Sequence, residues 1–438
     1  MSSTKVEAQP AIVIRPHYRT DFSNSDPQNA LSEAQGLAVA LGLSVVHASV
    51  INIRKIIPAT FIGGGVIESL LIKIKETNAK LLIIDADLSP VQQRNLETAM
   101  QVKVLDRTGL ILEIFSLRAL TKEGRLQVEL ARIVYERSRL VRTWTHLERQ
   151  RGGKGFLAGP GERQIESDRR DLSDKAVALG RQLEKVRRTR RLHRKARKKR
   201  DCPIITLVGY TNAGKSTLFN RLTDANVFVQ DMLFATLDPT IREVKLNQDL
   251  TAVLSDTVGF ISNLPTELIA AFRATLEEVT EADLILHVRD IASPFSEEQR
   301  QNVEQVMAKL LEQSAKLPPV LEVWNKIDLT DSETREFLTA KAAKQETKPI
   351  LISANTGEGL EELTAKMSDL LDAGHCVLQL TIPPGQSDAF DWIQRHGRIL
   401  QCDAIEDSSD LDCVIKMDRP AFNKFKSTFP KLAPYICG

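Results

Sequence analysis

The stretch GYTNAGKST, at residues 209–217, contains residue types that could hold a chain of phosphates. It fits the pattern Gly-x4-Gly-Lys-Ser and follows the apolar run IITLV. In such a loop, glycines let backbone N–H groups turn towards the phosphates, the lysine offsets the charge of the β- and γ-phosphates, and the serine hydroxyl ligates Mg²⁺. We therefore predict a nucleotide-binding loop formed by Gly209, Tyr210, Thr211, Asn212, Ala213, Gly214, Lys215 and Ser216.

An acidic motif, DTVG, follows a second apolar run, AVLS. A carboxylate at the end of a strand can hold Mg²⁺ through water, and a glycine three residues later can donate its N–H to a γ-phosphate. The motif has little meaning alone but is a strong signal after a phosphate loop. It predicts that Asp256, Thr257, Val258 and Gly259 face the terminal phosphate and its metal ion.

The motifs NKID and SAN, at residues 325–328 and 353–355, predict which base is bound. A carboxylate at Asp328 would accept two hydrogen bonds from guanine, whereas adenine lacks that pair of donors. Asn325 would reach the base or tie two loops together, and the Ala354 N–H would meet guanine O6. A site built on such bonds rejects a base without the donors, so GTP is favoured over ATP. The residues assigned to the base are Asn325, Lys326, Ile327, Asp328, Ser353, Ala354 and Asn355.

The segment FATLDPT, at residues 234–240, is the candidate for a loop that responds to the γ-phosphate. A threonine hydroxyl there could complete the Mg²⁺ shell while GTP is bound and let go after hydrolysis. Thr236 and Thr240 both qualify chemically. The residues assigned to this nucleotide contact are Phe234, Ala235, Thr236, Leu237 and Asp238.

The residue that follows the DTVG motif affects the expected rate of hydrolysis. Many GTPases place a glutamine there to orient the attacking water, whereas this sequence has Phe260. Because a phenyl ring cannot orient water by hydrogen bonding, we expect slow intrinsic hydrolysis or help from an activating partner. Arg273 and Glu277 are candidate helpers, although surface ion pairing is the simpler role for both.

These motifs require a scaffold, which alternating strands and helices between residues 201 and 370 provide. Five apolar runs of strand length occur there: IITLVG, AVLSDT, LILHVRD, VLEVWNK and PILISA. Each motif lies at the C-terminal end of a strand, where open α/β sheets bind ligands. The sequence therefore predicts an α/β P-loop GTPase domain with a five-stranded sheet.

The flanking segments predict two smaller domains. Residues 1–115 alternate the apolar runs AIVIR and LLIIDADL with the glycine turn and amphipathic helix FIGGGVIESLLIKIK, a pattern typical of a small, mostly parallel sheet. The glycines of that turn could hold a phosphate, but a tight turn before a helix is the simpler interpretation. Residues 371–438 alternate short strands and helices and predict a small α+β C-terminal domain.

Residues 116–200 predict a long helical hairpin. A stretch with five glycines, GGKGFLAGPG at residues 152–161, cannot remain helical and would form its tip. Apolar residues recur at spacings of three, four and seven on both sides of the tip. They are Leu126, Leu130, Ile133, Leu140, Trp144 and Leu147 before it, and Ile165, Leu172, Ala176, Leu179, Leu183 and Val186 after it.

Charge is unevenly distributed along the chain. Residues 137–200 contain 22 Lys and Arg against 7 Asp and Glu, a net of +15, although the whole chain has a net charge of only +2. Positive charge concentrated in one segment of the chain favours a polyanionic partner, most simply nucleic acid. A solvated helical surface is the alternative explanation.

Composition excludes several classes of protein. No run of 18 apolar residues occurs, so we expect no stable membrane insertion. The first ten residues, MSSTKVEAQP, lack the apolar core of a secretory signal. The five cysteines form no CxxC pair, which favours a reducing cytoplasm over a disulfide framework or a zinc site.

Taken together, GYTNAGKSTLFNRLT, FATLDPT, DTVGFI, LPTELIAAFRATLEE, NKID and SANTGEG resemble the HflX-type GTPases. The similarity extends outside the GTPase motifs. LQVELARIVYERSRLVRTWTHLERQRGG and GPGERQIESDRR resemble that family's hairpin and tip, and DADLSPVQQRNLE and DRTGLILEIF resemble its N-terminal domain. The resemblance covers residues from about 10 to 370 and is looser in the C-terminal segment.

The resemblance implies a cytoplasmic, monomeric GTPase that binds GTP and GDP and associates with the large (50S) ribosomal subunit. It implies that the glycine-rich tip approaches the peptidyl-transferase centre, and that binding splits or rescues stalled ribosomes, or serves biogenesis, under stress. By the same resemblance, Ser216 and Thr236 ligate Mg²⁺, while Lys215, Thr236 and Gly259 serve catalysis. Asn212 matches an asparagine of potassium-dependent GTPases, which adds K⁺ as a candidate cofactor.

Two other classes of function remain open. The first is a non-catalytic guanine-nucleotide-binding regulator that recruits a protein partner through the hairpin, which Phe260 keeps under consideration. The second is an RNA-modifying or RNA-unwinding enzyme that uses the N-terminal domain. That domain offers only Asp85 and Asp87, on one face of a strand end, and solvation is the simpler explanation for this pair.

Overall fold

A computed structural model describes residues 8–18, 26–143, 160–198, 202–223, 232–234, 236–237, 240–247, 250–262, 279–311, 318–345, 347–372, 375–405 and 410–437. The chain divides into two compact units. The first contains residues 1–244 and 252–359, and the second contains residues 245–251 and 360–438. The domain boundaries expected from the sequence divide the chain more finely and remain predictions.

The first unit begins with a four-stranded sheet in the order β2-β1-β3-β4, and its strand pairs are parallel. The elements of this region are β1 (Pro10–Tyr18), α1 (Pro27–Ala40), β2 (Ser44–Ile53), α2 (Gly64–Thr77), β3 (Leu81–Ile84), α3 (Pro90–Met100), β4 (Lys103–Asp106) and α4 (Arg107–Arg118). The predicted small parallel sheet is confirmed. Strands β2 and β4 were missed because β2 mixes polar with apolar residues and β4, KVLD, has only two apolar residues between charged ones.

Local signals explain where these helices begin. Gly63 is the N-cap of α2, as expected for a tight turn before a helix. Ser89 and Gln92 form a reciprocal capping box at the start of α3. The Asp106 carboxylate caps α4 by accepting the Gly109 N–H at 2.8 Å. The helices are therefore fixed at the ends that face the strand termini.

Two long helices, α5 (Lys122–Thr143) and α6 (Pro160–Lys198), form the predicted hairpin. Helix α6 has 39 residues and is therefore about 58 Å long at 1.5 Å per residue. Eight of the twelve predicted apolar positions pack against one another in one cluster: Leu126, Leu130, Ile133, Leu172, Ala176, Leu179, Leu183 and Val186. Leu140 is not part of that cluster, and Trp144, Leu147 and the side chain of Ile165 lie outside the described part of the chain. Most of the glycine-rich tip, residues 152–159, lies outside the described part of the chain.

The phosphate-loop region contains a six-stranded sheet in the order β10-β9-β8-β5-β7-β6. Its elements are β5 (Ile204–Gly209), α7 (Lys215–Thr223), β6 (Thr240–Lys245), β7 (Thr251–Asp256), β8 (Leu284–Asp290), α8 (Ser296–Leu311), β9 (Val320–Asn325), a 3₁₀ turn (Ile327–Leu329), α9 (Ser332–Ala343) and β10 (Ile350–Leu351). The prediction of five strands was wrong by one. Strand β6, TIREVK, was overlooked because only one of its residues is buried, so it lacks an apolar run.

The second unit contains the predicted α+β arrangement of short strands and helices. Its four-stranded sheet has the order β12-β13-β11-β14. The elements are α10 (Leu360–Asp372), β11 (His375–Ile382), α11 (Ser387–His396), β12 (Arg398–Ala404), β13 (Leu411–Asp418), α12 (Arg419–Thr428), a 3₁₀ turn (Pro430–Tyr435) and β14 (Ile436–Cys437).

One cysteine pair differs from the sequence-based expectation of free thiols. Cys402 and Cys413 face each other across the antiparallel strands β12 and β13 and form a disulfide. Their separation of 11 residues gives no motif, so only strand register brings them together. Cys202 is not disulfide-bonded.

The apolar core of the first unit is continuous from the N-terminal sheet to the phosphate-loop region. One cluster joins Phe115 of α4 with Phe234, Val258 and Phe260 from the two segments predicted to respond to the nucleotide. Phe115 and Phe234 meet edge to face, with ring centroids 4.6 Å apart. The two segments predicted to respond to the nucleotide therefore share one apolar core with the N-terminal sheet. None of the described helices is both long and apolar enough to cross a membrane.

Candidate nucleotide site

The phosphate loop connects β5 to α7, and two of its glycines occupy positions where a side chain would not fit. Gly214 has a φ of +90°, and a Cβ there would collide with the Asn325 amide nitrogen. A Cβ on Gly209 would collide with the Val288 carbonyl oxygen of β8. The loop therefore packs directly on the ends of its neighbouring strands, which only glycine permits.

Lys215 is buried at the centre of this loop. Its ammonium group donates to the carbonyl oxygens of Gly209, at 3.1 Å, and Tyr210, at 2.8 Å. Burial lowers the pKa of Lys215 to about 8, and the nearby Asp256 carboxylate opposes that shift. An anionic ligand in the loop would meet this ammonium group and favour its charged form.

Three oxygen-bearing side chains converge beside the lysine. The Ser216 hydroxyl lies 2.7 Å from the Thr236 hydroxyl and donates to Asp256 Oδ2 at 2.7 Å. Asp256 has no exposed surface, and its second oxygen, Oδ1, has no hydrogen-bond partner among the residues that the structure describes. Burial raises the pKa of Asp256, and Lys215 together with the two hydroxyls opposes that rise. Thr240, the alternative to Thr236, instead begins strand β6.

This donor set fits Mg²⁺. Magnesium prefers hard oxygen ligands and is held in proteins by one or two carboxylates together with substrate phosphates. A buried carboxylate oxygen without a partner is costly unless a cation or donor satisfies it. Ser216, Thr236 and Asp256 are therefore the residues that would hold the metal, directly or through water.

The DTVG motif lies against the phosphate loop. A Cβ built on Gly259 would lie 3.0 Å from Lys215 Nζ and 2.9 Å from the Thr211 Cα. Phe260 is only 3% exposed, and its backbone bonds to the loop on both sides, donating to Gly209 O at 3.1 Å and accepting from Thr211 N at 2.7 Å. The phenyl ring faces the apolar core, so it offers no group to an attacking water.

The motifs assigned to the base meet through the side chain of Asn325. Its amide nitrogen donates to the Ala213 carbonyl oxygen at 2.9 Å, and its amide oxygen accepts the Ala354 N–H at 2.9 Å. Of the two roles left open for Asn325, the structure shows the tie between loops. The Ala354 N–H, expected to meet guanine O6, donates to Asn325.

The remaining residues predicted to bind the base surround this tie. Asp328 is exposed in the 3₁₀ turn after β9, and Lys326 pairs with Asp290 at 2.8 Å. Ile327 and Ser353 are buried, and the Ser353 hydroxyl accepts the Thr356 N–H at 3.1 Å. Asn355 is exposed, and its carbonyl oxygen accepts from Arg221 at 3.3 Å.

Not every predicted residue is described. In the segment FATLDPT, Phe234 and Leu237 are buried and Thr236 reaches Ser216, whereas Ala235 and Asp238 lie outside the described residues. The candidate helpers Arg273 and Glu277 also lie outside them. Asn212 is exposed at the loop, with a φ of +60°.

Residues from the N-terminal region reach this site, which the motifs did not predict. Arg107 and Glu33 contact Ser262, the third residue after Gly259. Arg107 also pairs with Asp85, which is 2% exposed and also pairs with Arg15. The interpretation of Asp85 as a solvated carboxylate was therefore wrong. The exposed Asp87 accepts the Thr108 hydroxyl at 3.0 Å.

Family models match most of the first unit. Residues 28–116 match the N-terminal region of GTP-binding GTPases, and residues 118–197 match the middle region of the same proteins. Residues 204–326 match a family described as 50S ribosome-binding GTPases.

Similar proteins cover nearly the whole chain. GTPase HflX of Magnetococcus marinus is 50% identical over 342 residues, which are 78% of this chain and 77% of that protein. GTPase HflX of Escherichia coli is 41% identical over 422 residues, which are 95% of this chain and 96% of that protein. A solved GTP-binding protein of Sulfolobus solfataricus, in complex with GDP, is 24% identical, with a TM-score of 0.45, and the match covers 83% of this chain and 99% of that one. With relatives this similar over this much of its length, the chain belongs to the HflX family of GTPases, enzymes that hydrolyse GTP.

Proposed function

We propose that this GTPase acts in the cytoplasm, as a monomer, on the large ribosomal subunit, where it splits or rescues stalled ribosomes or serves their biogenesis under stress. The observation that carries the choice of partner is the match of residues 204–326 to 50S ribosome-binding GTPases. A second feature supports it, because the hairpin beside this domain belongs to a segment with a net charge of +15.

The phosphates are the first part of the proposed reaction. Backbone N–H groups between Gly209 and Ser216 would surround the β-phosphate, and the buried Lys215 would offset charge on the β- and γ-phosphates. Mg²⁺ held at Ser216, Thr236 and Asp256 would neutralise charge that develops on the phosphates during transfer. The Gly259 N–H would orient the γ-phosphate from the opposite side.

The attacking water receives no hydrogen bond from the residue after the DTVG motif, which is Phe260. Phe260 is buried and cannot orient water, so the intrinsic rate should be low and an external group should raise it. Asn212 is exposed at the loop, and we include it as a ligand for K⁺, which would supply positive charge near the β- and γ-phosphates. Replacing K⁺ by Na⁺ in the assay tests that part separately.

Guanine would be read by the exposed carboxylate of Asp328. Lys326, whose ammonium pairs with Asp290 at 2.8 Å, would lay its stem over the base. Asn325 would act by holding the phosphate loop against the SAN motif. Because adenine cannot satisfy Asp328, ATP should compete poorly for the site.

The hairpin would provide the contact with ribosomal RNA. Along α6, the basic residues on the exposed side include Arg169, Arg170, Lys175, Arg181, Lys185 and Arg188. Neutralising RNA phosphates releases counterions, so affinity for the large subunit should fall steeply with salt. Replacing Arg169, Arg170 and Lys175 together by glutamine should reduce the salt slope by up to about three units, about one per lost phosphate contact.

A hydrolysis assay with and without purified large subunits tests this proposal. Strong stimulation of GTP turnover by the subunits, with little turnover of ATP, is the expected result. Deletion of residues 152–161 should abolish the stimulation and leave basal turnover in place. Failure of the subunits to raise turnover of the intact protein would remove the ribosomal role.

A non-catalytic regulator remains the second candidate function because Phe260 offers no hydrogen bond to water. It predicts tight guanine-nucleotide binding with no turnover above buffer, with or without ribosomes. The same assay therefore separates the two functions.

A further inference from the structure

An arginine of helix α7 contacts the loop that carries the SAN motif, residues 353–359, which we call the SAN loop. The Arg221 guanidinium donates to the carbonyl oxygen of Asn355 at 3.3 Å and to that of Thr356 at 3.0 Å. These residues are 134 and 135 positions further along the chain. A Cβ on Gly357 would lie 3.2 Å from Arg221 Nη2, so the guanidinium group also lies against the next residue of the loop.

The two peptide units that Arg221 contacts are held from their other side by Ser353. The Thr356 N–H, which shares a peptide unit with the Asn355 carbonyl, donates to the Ser353 hydroxyl at 3.1 Å. The Gly357 N–H, which shares one with the Thr356 carbonyl, donates to the Ser353 carbonyl oxygen at 2.8 Å. Because a peptide unit is planar, neither unit can rotate without losing a hydrogen bond at its oxygen or at its N–H.

The far end of the SAN loop is confined as well. The Ser353 N–H donates to the Glu358 carbonyl oxygen at 3.0 Å, which closes the loop on itself. Gly359 has a φ of +76°, and a Cβ there would collide with the Leu351 carbonyl oxygen of β10. The loop is therefore a closed turn that lies directly on strand β10, and Arg221 connects this turn to helix α7.

Helix α7 relates the SAN loop to the phosphate loop. The first residue of this helix is Lys215, the lysine of the phosphate loop. Arg221 follows six residues later, about 9 Å along the helix at 1.5 Å per residue. Asn325 holds the start of the SAN loop, since it joins the Ala213 carbonyl oxygen to the Ala354 N–H. Arg221 holds the residues that follow, so two consecutive parts of the SAN loop are attached to the phosphate-binding segment.

A second arginine contacts the SAN loop in a different way. Arg335 of α9 forms an ion pair with the side chain of Glu358, and the two side chains are 43% and 46% exposed. An ion pair that is exposed to this extent contributes little to stability. Because Arg335 reaches a side chain at the surface, whereas Arg221 reaches the backbone, the two arginines differ in their expected effect on the geometry of the loop.

We propose that Arg221 is a positioning residue for guanine recognition, which holds the SAN loop where its backbone N–H groups meet the base. The proposal rests on the assignment of the SAN motif to guanine O6. A donor that is held in place before the base arrives binds it more tightly, because ordering a loop during binding costs affinity. Loss of the guanidinium group therefore weakens the contact with O6 and leaves the contacts with the phosphates and with Asp328 in place.

The test compares dissociation constants of Arg221→Met and of the unaltered protein for three nucleotides, with Mg²⁺. Arg221 is exposed, so the substitution leaves the apolar core intact. In 6-thio-GDP a sulfur atom, which accepts hydrogen bonds weakly, replaces O6, whereas inosine diphosphate keeps O6 and lacks one of the two donors assigned to Asp328. We expect affinity for GDP and inosine diphosphate to fall by about fivefold each, the size of one ordinary hydrogen bond, and affinity for 6-thio-GDP by less than about twofold.

Arg335→Met is the matched control, because it removes the same group from an exposed side-chain contact with the same loop. It should leave all three affinities close to those of the unaltered protein. An unchanged affinity of Arg221→Met for GDP, an equal loss for GDP and 6-thio-GDP, or an equal loss in Arg335→Met would overturn the inference and leave the GTPase assignment intact. If the unaltered protein bound 6-thio-GDP as tightly as GDP, the assignment of the SAN motif to O6 would itself fail.

Discussion

At the scale of single residues, the site depends on groups that leave each other almost no room. Asn325 joins the phosphate loop to the SAN motif through two hydrogen bonds of 2.9 Å. Its amide nitrogen occupies the space that a side chain at Gly214 would need. The position of the loop relative to the base-reading motifs is therefore fixed by one glycine and one amide.

Gly214→Ala should disrupt this contact. The substitution adds a Cβ at a φ of +90° and forces it against Asn325, so we expect affinity for GDP to fall by at least about tenfold, equivalent to ~1.4 kcal/mol. Gly180→Ala in α6, where nothing lies within 4 Å of the new Cβ, is the matched control and should bind GDP normally. Normal GDP affinity in Gly214→Ala would show that the loop does not depend on this contact.

The lowered pKa of the buried His287 should make the free energy of unfolding depend on pH. Burial lowers the pKa of His287 to about 4, with opposition from Glu322 and support from Arg289, Arg300 and Lys215. An unfolded histidine takes up a proton below about pH 6.5, but the folded protein resists until about pH 4. Between these values the unfolded state binds more protons, so the free energy of unfolding should fall as the pH drops from 6.5 to 4.

Urea unfolding at pH 7, 6 and 5 measures this dependence. His287→Asn should make the decline shallower, because the proton uptake of this site is removed. The same substitution at the exposed His396 is the control. An unchanged slope in His287→Asn would mean that other groups account for the decline.

Sequence spacing predicted the residues of the phosphate loop and of the DTVG and NKID motifs because their chemistry is local to a few consecutive positions. It did not predict Glu33 or Arg107. Their contacts with Ser262 span 229 and 155 residues. Motif spacing does not predict contacts between residues so far apart in the sequence. A charged residue at the end of a buried strand, as in VLDRTG, is the only local signal that Arg107 offers.

At the scale of elements, apolar periodicity predicted α5 and α6, because two helices that pack along one seam must repeat apolar residues at helical spacing. Eight of the twelve predicted seam residues form one cluster. Strand β6 and the Cys402–Cys413 pair followed from no periodicity. Strand β6 has only one buried residue, and the cysteine pair depends on the register between β12 and β13.

Leu179→Ala should loosen the hairpin. Leu179 is 8% exposed in the seam, and buried leucine-to-alanine changes cost about 2–5 kcal/mol, with the lower end suited to a two-helix seam. Hydrogen exchange of α6 should accelerate by at least about tenfold, since 1.4 kcal/mol is a factor of ten. Val177→Ala, at a position 54% exposed in the same helix, should exchange as the unaltered protein does.

At the scale of the whole molecule, two consecutive residues connect the nucleotide site to the hairpin. Arg107 holds Ser262, whereas Asp106 holds α5 by accepting the Tyr135 hydroxyl at 2.6 Å and pairing with Arg139. Both residues lie where β4 meets α4. The segment after Gly259 and the hairpin are therefore anchored on the same short segment.

Tyr135→Phe should weaken this connection. Removal of the hydroxyl leaves the Asp106 ion pair with Arg139 and the cap of α4 in place, but α5 loses its hydrogen bond from Tyr135 to Asp106. We expect the difference in large-subunit affinity between the GTP-analogue and GDP forms to shrink by at least about threefold, the value of one hydrogen bond, while nucleotide affinity is retained. Tyr435→Phe, at an exposed position of the second unit, is the control, and an unchanged difference in Tyr135→Phe would place the connection elsewhere.

Taken together, the site and the hairpin lead us to propose that the guanine nucleotide controls when the basic hairpin binds the large ribosomal subunit. The most direct test is the dissociation constant of the unaltered protein for purified large subunits, measured with a GTP analogue, with GDP and without nucleotide, over a range of salt concentrations. We expect the tightest binding with the GTP analogue and a steep decline of affinity with salt in that form. Equal affinity in all three nucleotide states would contradict it.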